Sequence, residues 1–575
     1  MKIVFPLMRT HALCILGLIF ADLEPAPAAE FSVAAFRPKA DGVTDDTPAI
    51  TACFEAAARA GGGTVTVPPG DYFMSGEAPV PLVSRLTVSA YGARFHLPEK
   101  LGDKARAVLF SGENVRDFHW SGGHFSGHVF DPARQENSWE PNASTRAIVI
   151  TTAPRGRTEN LTFRDITSDG LAGAAITVLG AEKKGSDREV ETYARNVTIE
   201  DCTLERSGKF MWDYGYLWQQ VLWPEDYEPW EVARAWKYFR ADLVRDGVRM
   251  DDGGDRVRFA PQERPIAVSA SDDPKDALCF FGGTLPRNLV RGRQYFVIES
   301  ARDFVRIAEK PGGAAIQFAG GSGEGVKLLH VLGGAYGNLY APTGSGPGKG
   351  AFDLVGCEKV IVRGCRLSAL GDTMHIQKSA GVIFAGNHIT GSRMGAFFLA
   401  EFCKNATITG NIVDGTNGSR VISVEKSCED VTMTGNTFRN GGRGSWINQP
   451  RNFVMTGNVF VNNTTKNERD PRRGRRTFLT GDYERKPELY FTLHEQGGSY
   501  GPVMVRDNVF VLSPDCGSPA VTFAPGGKDI VFAGNTFQGP PALIRLDPSC
   551  ADADVRDNRG AVVDRAPVDF NHGRR

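Results

Sequence analysis

The 575 residues are too many for one compact core and suit either several domains or an elongated repeat. The 66 Lys and Arg set against 67 Asp and Glu leave a net charge of -1, which excludes a global field that would select nucleic acid or an anionic membrane. With 66 glycines and 10% aromatic residues, the composition favours a turn-rich β protein over a helical one.

The chain opens with the pattern of an export signal. Lys2 and Arg9 precede the mostly apolar run Ala12 to Ala21, and Ala26-Pro-Ala-Ala29 offers a small-residue cleavage site. Residues 1–29 are therefore expected to be removed, leaving a secreted or periplasmic protein. No other stretch approaches the roughly 20 apolar residues of a membrane span. Loss of Cys14 with the signal leaves an odd number of cysteines, which argues against a fully paired disulfide framework.

Next comes Phe36-Arg-Pro-Lys-Ala-Asp-Gly-Val-Thr-Asp-Asp-Thr-Pro48, leading into a helix predicted over about 48–60. Thr47 is the expected N-cap and Pro48 the first helical residue. Ile50, Cys53, Phe54 and Ala57 form one apolar stripe. Gly61-Gly-Gly-Thr-Val-Thr-Val-Pro-Pro-Gly-Asp-Tyr72 then gives a strand and a turn. Such a helix suits the lid of an open solenoid end.

A short phrase recurs downstream. It reads Asn196-Val-Thr-Ile-Glu-Asp-Cys202, Lys359-Val-Ile-Val-Arg-Gly-Cys365 and Gly381-Val-Ile-Phe-Ala-Gly-Asn387, and returns ending at Asn411, Asn436, Asn458, Asn508, Asn535 and Asn558. Each phrase alternates apolar and polar residues as a strand does, then turns at residues that tolerate left-handed angles. From Cys365 the spacings are 22, 24, 25, 22, 50, 27 and 23, the 50 being two coils or one coil with a large insertion. A strand-turn unit of this period is the mark of a solenoid. Cys357, Ser379, Cys403 and Cys428 each stand eight residues before the turn residue and form an inward column of small side chains. In that column Cys403 and Cys428 come within disulfide reach, and buried free thiols fit equally well. The turn asparagines suit a structural amide ladder.

The segment 31–75 resembles the N-terminal segment of the pectin-lyase-like β-helix superfamily, particularly its rhamnogalacturonase and epimerase-type branch, and the repeats extend the resemblance over 110–208 and 350–560. It implies an all-β, right-handed parallel β-helix solenoid with an N-terminal capping helix. It also implies a carbohydrate ligand, without choosing between glycoside hydrolase, polysaccharide lyase, sugar epimerase and tailspike.

The repeat stops after Gly208. The expected organisation is N-terminal coils over 30–208, an insertion over 209–324 and C-terminal coils over 325–575. The insertion begins with Trp212, Trp218, Trp223, Trp230 and Trp236 and continues with β-like runs that predict a small β-barrel or sandwich over 241–320. The tryptophans suit either a sugar-stacking wall or, preferably, a hydrophobic seam docking the insertion.

In the coils from 365 to 458 polar residues displace the usual filler. Counting back from the turn asparagines aligns Gln377, Glu401, Lys426 and Asn448. Aligning the apolar residues Ile376, Leu399, Val424 and Ile447 instead aligns Gln377, Ala400, Glu425 and Asn448, and the sequence leaves both registers open. Glycoside cleavage commonly needs two carboxyl groups, one protonated and the other a base or nucleophile. Glu401 and Glu425 are the expected pair, with Asp372 as the substitute for either. His375, Gln377, Arg393, Arg420, Lys426, Arg443, Trp446, Asn448 and His494 are the expected sugar-binding residues. A Glu401–Lys426 ion pair on a solvated sheet is the bland alternative. No metal motif of specific spacing appears and no cofactor is expected, although clustered carboxylates leave room for calcium. The expected partner is a polysaccharide or oligosaccharide and the expected activity a secreted glycoside hydrolase. A polysaccharide lyase or epimerase, using Lys426, Arg443, Arg420 or His494 as base, ranks second, and a non-catalytic glycan-binding protein third.

Overall fold

The computed structural model describes residues 29–98, 106–127, 130–131, 136–137, 144–208, 223–230, 232–233, 244–270, 277–320, 323–330, 350–369, 371–392, 395–415, 419–442, 444–464, 487–493, 498–514, 516 and 519–568. The expected export signal, Trp212, Trp218, Trp236, Arg393, Arg443 and His494 lie outside these residues.

Strands from successive coils stack into three long parallel sheets of 14, 13 and 13 strands. In the first, Val360, Val382, Ala406, Val431 and Phe453 stand in direct register from coil to coil and are buried. Their polar neighbours alternate to the outside, as a strand half-exposed to water requires. Phenylalanines also stack in line inside the solenoid: Phe438, Phe460, Phe510 and Phe537 follow one another at centroid distances of 5.1, 4.7 and 4.6 Å.

The turn asparagines form a continuous buried ladder. Asn411 donates from its backbone N and its Nδ2 to Oδ1 of Asn436, which does the same to Asn458. A second bond runs from Asn436 Nδ2 to the carbonyl of Ile408. Asn458 bonds directly to Asn508, and Val454 pairs with Met504, so the interval of 50 is one coil carrying an insertion. Cys357, Cys403 and Cys428 are buried free thiols, as are Cys202 and Cys365, which head the turn column.

The helix runs from Thr47 to Arg59 and buries Ile50, Cys53, Phe54 and Ala57, the expected stripe. It packs on Glu30–Ser32, Gly63–Thr66 and Val80–Pro81, the first strands of the stack, and so covers their open end. The cap differs from expectation. Asp46 holds the cap position and Thr47 is already helical, because Asp45 Oδ1 accepts from Thr47 N at 3.0 Å while Asp46 ties down Lys39 N and Ala40 N.

The insertion leaves the solenoid intact: strand Ala194–Glu200 pairs directly with Cys357–Arg363 across it. Its described strands form one seven-stranded antiparallel sheet from Val244–Arg245 to Lys327–His330, with a core of its own that includes Met250, Phe280, Tyr295 and Leu328. Lys327–His330 belongs to that sheet, and the next coil strand is Phe352–Val355. Trp223 packs on the insertion: Arg291 lies over its ring at 5.7 Å, and a Cβ on Gly292 would meet it at 2.5 Å.

A second, shorter ladder ends on a carboxyl group. Asn463 donates from N and Nδ2 to the carboxyl of Glu488, at 2.9 and 2.8 Å, in a fully buried setting. Burial pushes the Glu488 carboxyl up to about 7, against the opposing pull of the two Asn463 bonds. Because the folded state holds this proton more tightly than the unfolded one, the contribution of Glu488 to stability is fully present below about pH 4.5 and is lost as pH rises to about 7. Chemical denaturation across that range should show the slope in the native chain and its loss in Glu488→Gln. Asn436→Ala, which strands the donors of Asn411 and the carbonyl of Ile408, should cost on the order of 3 kcal/mol in the same measurement.

Candidate functional site

The third sheet carries the residues singled out in the sequence. Its strands Phe352–Val355, Met374–Gln377, Gly395–Leu399, Arg420–Val424, Ser445–Asn448 and Leu489–Thr492 lie side by side. Ile376, Leu399, Val424, Ile447 and Phe491 share one register and are buried, so their neighbours point outward. One outer column therefore runs Asp353, His375, Phe398, Ser423, Trp446, Tyr490, Thr522.

Both registers left open by the sequence occur. Through the strands the apolar alignment holds. At the strand ends Lys378 N bonds to the carbonyl of Glu401, Phe402 N to Lys426, Ser427 N to Asn448 and Gln449 N to Thr492. Gln377, Glu401, Lys426, Asn448 and Thr492 thus align there. The two alignments meet because two coils carry one additional residue each, Ala400 and Glu425, between the apolar column and the turn. Inward thiols accommodate them: Cys428 Sγ lies 2.9 Å from the carbonyl of Ala400 and 3.3 Å from that of Glu425. Neighbouring coils place one residue in the left-handed region at this turn, Lys378, Phe402 or Gln449, whereas the coil of Glu425 places two in succession, Lys426 at φ 46° and Ser427 at φ 60°. Extra residues and such backbone strain gather at functional sites.

The polar groups are brought together as follows. Glu401 accepts from Gln377 Nε2 at 2.9 Å and from Lys426 Nζ. Glu425 faces Arg420 at 3.4 Å, and the Arg420 guanidinium lies over the Trp446 ring at 5.0 Å. Side-chain exposures of 21% for Glu401, 34% for Lys426 and 27% for Glu425 leave all three reachable from solvent. His375 meets Asp353 at 3.2 Å through Nδ1 and packs on Phe398 at 5.3 Å. Arg146, two coils earlier, reaches Asp353 at 3.8 Å and Thr177 Oγ1 at 3.3 Å. Asp372 sits at the other end of the strands. It is buried, and its Oδ1 accepts from Gly395 N at 2.9 Å, where a Cβ on Gly395 would come within 2.7 Å.

Two hydroxyls on this face, those of Ser423 and Thr492, escape sequence analysis, and they lie on the same face as Asn448, an expected sugar-binding residue. Ser423 Oγ, Asn448 Oδ1 and Thr492 Oγ1 are buried, and among the described residues none has a hydrogen-bond partner. A buried polar group left so costs about 1–3 kcal/mol, which makes their grouping around Trp446 expensive for stability alone. Asp353 and Arg146 were also missed. Extending the apolar register back from Ile376 to Leu354 would have placed Asp353 beside His375. Among the described residues no three or more His, Cys, Asp and Glu side chains are gathered for a metal ion.

Residues 336–468 match the family model described as "Right handed beta helix region". With the three parallel sheets, this makes the chain a right-handed parallel β-helix protein. A 47-residue stretch, 8% of this chain and 6% of the relative, is 55% identical to Alginate lyase 7 of Azotobacter vinelandii. Among solved structures, the A-module of mannuronan C-5 epimerase AlgE4 of Azotobacter vinelandii superposes with a TM-score of 0.41 at 10% identity, over 94% of this chain and 98% of that one. The Dettilon tailspike protein gives 0.45 at 10% identity, over 89% and 69%.

The Glu401–Lys426 contact is a partly exposed ion pair, and such pairs contribute about 0–1 kcal/mol. Lys426→Met should therefore leave thermal unfolding nearly unchanged. A loss of glycan turnover in that variant, read beside its melting curve, would separate a site role from a scaffold role.

Proposed function

We propose that this chain is an exported carbohydrate-active enzyme, a glycoside hydrolase that cleaves a polysaccharide or oligosaccharide lying on the outer face of the third sheet. The observation that carries the proposal is the one-position offset of Glu401 and Glu425 on adjacent coils, at the same end of the sheet. A stacked coil separates neighbours by about 4.8 Å, so side chains of this length on adjacent coils can approach one glycosidic bond from two directions. The short shared stretch with a protein named as an alginate lyase supports a carbohydrate substrate.

The two carboxyl groups have different surroundings, and that difference supports divided roles. Glu401 accepts from Gln377 and Lys426 and is set up to act as an anion, the base or nucleophile. Glu425 has the longer contact, with Arg420, and is the proton donor once sugar draws the guanidinium away. Trp446 offers an aromatic surface for a sugar ring, with Asp372 holding the opposite strand end in place.

A second reading rests on His375. Its Nδ1 meets Asp353, which would orient the imidazole, and Arg146 stands beside the pair. That set would suit proton abstraction next to a uronate carboxylate, the elimination chemistry of a lyase.

A polysaccharide panel assayed for new reducing ends and for the ultraviolet absorbance of an unsaturated uronate separates the two. Hydrolysis predicts reducing ends without that absorbance. It also predicts kcat falling by about 10³-fold or more in both Glu401→Gln and Glu425→Gln. Absorbing products, lost in His375→Gln and kept in Glu425→Gln, would replace hydrolysis by elimination.

A further inference from the structure

A short hairpin lies along the turns that carry Gln377 and Glu401. Between the third-sheet strand Ile176–Leu179 and the first-sheet strand Ala194–Glu200, the chain leaves the coil at Gly180. It returns through two antiparallel strands, Ala181–Glu182 and Val190–Thr192. Gly180 N bonds to the carbonyl of Val355, Gly356 N to that of Gln377, Lys378 N to that of Glu401 and Phe402 N to that of Lys426. Gly180, Gly356, Lys378 and Phe402 are therefore one turn column on four successive coils. The hairpin touches all three members beyond its own. A Cβ on Gly356 would meet Val190 at 3.2 Å. The Glu182 carboxylate pairs with the ammonium of Lys378, whose side chain is only 7% exposed. The Arg188 guanidinium lies over the Phe402 ring at 5.4 Å. A solenoid coil ordinarily meets only its neighbours, whereas this hairpin reaches the second and third coils past its own.

We propose that the hairpin is a brace for Glu401, with Glu182 and Arg188 as positioning residues. Glu401 lies between their two contacts. Lys378, held by Glu182, donates its backbone N–H to the Glu401 carbonyl at 2.7 Å. Phe402, held under Arg188, is the next residue in the chain and stands in the left-handed region at φ 57°. A buried ammonium cannot leave its carboxylate without stranding a charge, so the Lys378 pair fixes position whatever it adds to stability. The Glu401 backbone is thus held from the preceding coil and from its own turn, while its carboxylate meets Gln377 and Lys426. Such control matters because a misplacement of about 1 Å can cost about 100-fold in rate. The catalytic half of the inference rests on the proposed role of Glu401, and the brace itself does not.

The test cuts both contacts in the full chain with Lys378→Met and Arg188→Ala together. Methionine fills the buried site and leaves no unpaired charge, so the melting temperature should hold within about 2 °C. Lys184→Ala, on the exposed end of the hairpin, is the control. Hydrogen exchange read by mass spectrometry should show amide protection over 377–380 and 401–404 falling about tenfold in the double variant. Protection should stay native in the control, and at Asn436 in both. With the polysaccharide panel as substrate, the double variant should lose about tenfold in kcat with KM within about twofold of native. Unchanged protection, or a loss that extends to Asn436, would overturn the brace. Lost protection with native kcat would overturn positioning, and so would a raised KM at native kcat, which would make the hairpin a sugar-binding rim instead. The two proposals fail separately. Turnover abolished in Glu401→Gln and untouched in the double variant loses only the positioning. A native chain that turns over no glycan loses the hydrolase, and the exchange comparison still decides the brace.

Discussion

The structure depends on one constraint: every coil must lie a single strand spacing above the last, with its inward residue over the inward residue below. Backbone bonds between parallel strands fix the spacing. They do not by themselves fix the register, since slippage by one residue keeps the bonds and exchanges core for surface. The asparagine ladder prevents it. From Asn411 to Asn535 each asparagine in the column takes two bonds from the coil before it and gives two to the coil after, and Asn387 at its head takes one from Cys365 N and gives two. A slipped coil would strand buried donors and acceptors on both sides, at a cost a solenoid of marginal stability cannot carry.

The same constraint explains how the insertion and the long interval after Asn458 are tolerated. A solenoid contacts itself only between adjacent coils, so a segment leaving and re-entering at one turn disturbs no other contact. Glu200 pairs with Arg363 across the seven-stranded insertion, and Val454 with Met504 across the later one. Each departure occurs where the two flanking strands are already held, by the Cys202 and Cys365 turn residues in the first case and by Asn458 and Asn508 in the second.

Much of this was legible in the chain. The repeated strand-turn phrase, the amide ladder, the thiol column and the apolar helix stripe are periodic, and a period survives ignorance of everything else. The site was legible only in part, for a physical reason. Two alignments of the coils 365–458 looked exclusive because a uniform strand admits one register. Ala400 and Glu425 break that uniformity, and the two alignments describe two ends of the same strands. Asp353 was missed because its coil precedes the stretch where polar residues crowd. Ser423 and Thr492 were beyond reach for another reason: an unmet hydrogen bond is a property of neighbours, and no residue type announces it. The helix cap was misplaced by one residue because Asp45, Asp46 and Thr47 are all competent caps and tertiary bonds to Lys39 and Ala40 decided between them.

A perfectly regular coil would be a poor place for chemistry. Its outer columns repeat the same spacing, and like side chains on neighbouring coils either repel or pair with a cation and become inert. One additional residue in each of two adjacent coils changes this. It moves Glu401 into the Gln377 column, gives Lys426 the same column one coil on, and leaves Glu425 half a step away with Arg420 as its own partner. Two carboxyl groups then stand on adjacent coils in different surroundings, the asymmetry on which the proposed division into acid and base rests. The cost appears as consecutive left-handed residues at Lys426 and Ser427, held in place by the turns above and below. A ladder rigid enough to hold that strain is the likeness between scaffold and site: the regular coils supply the rigidity, and the irregular pair spends it.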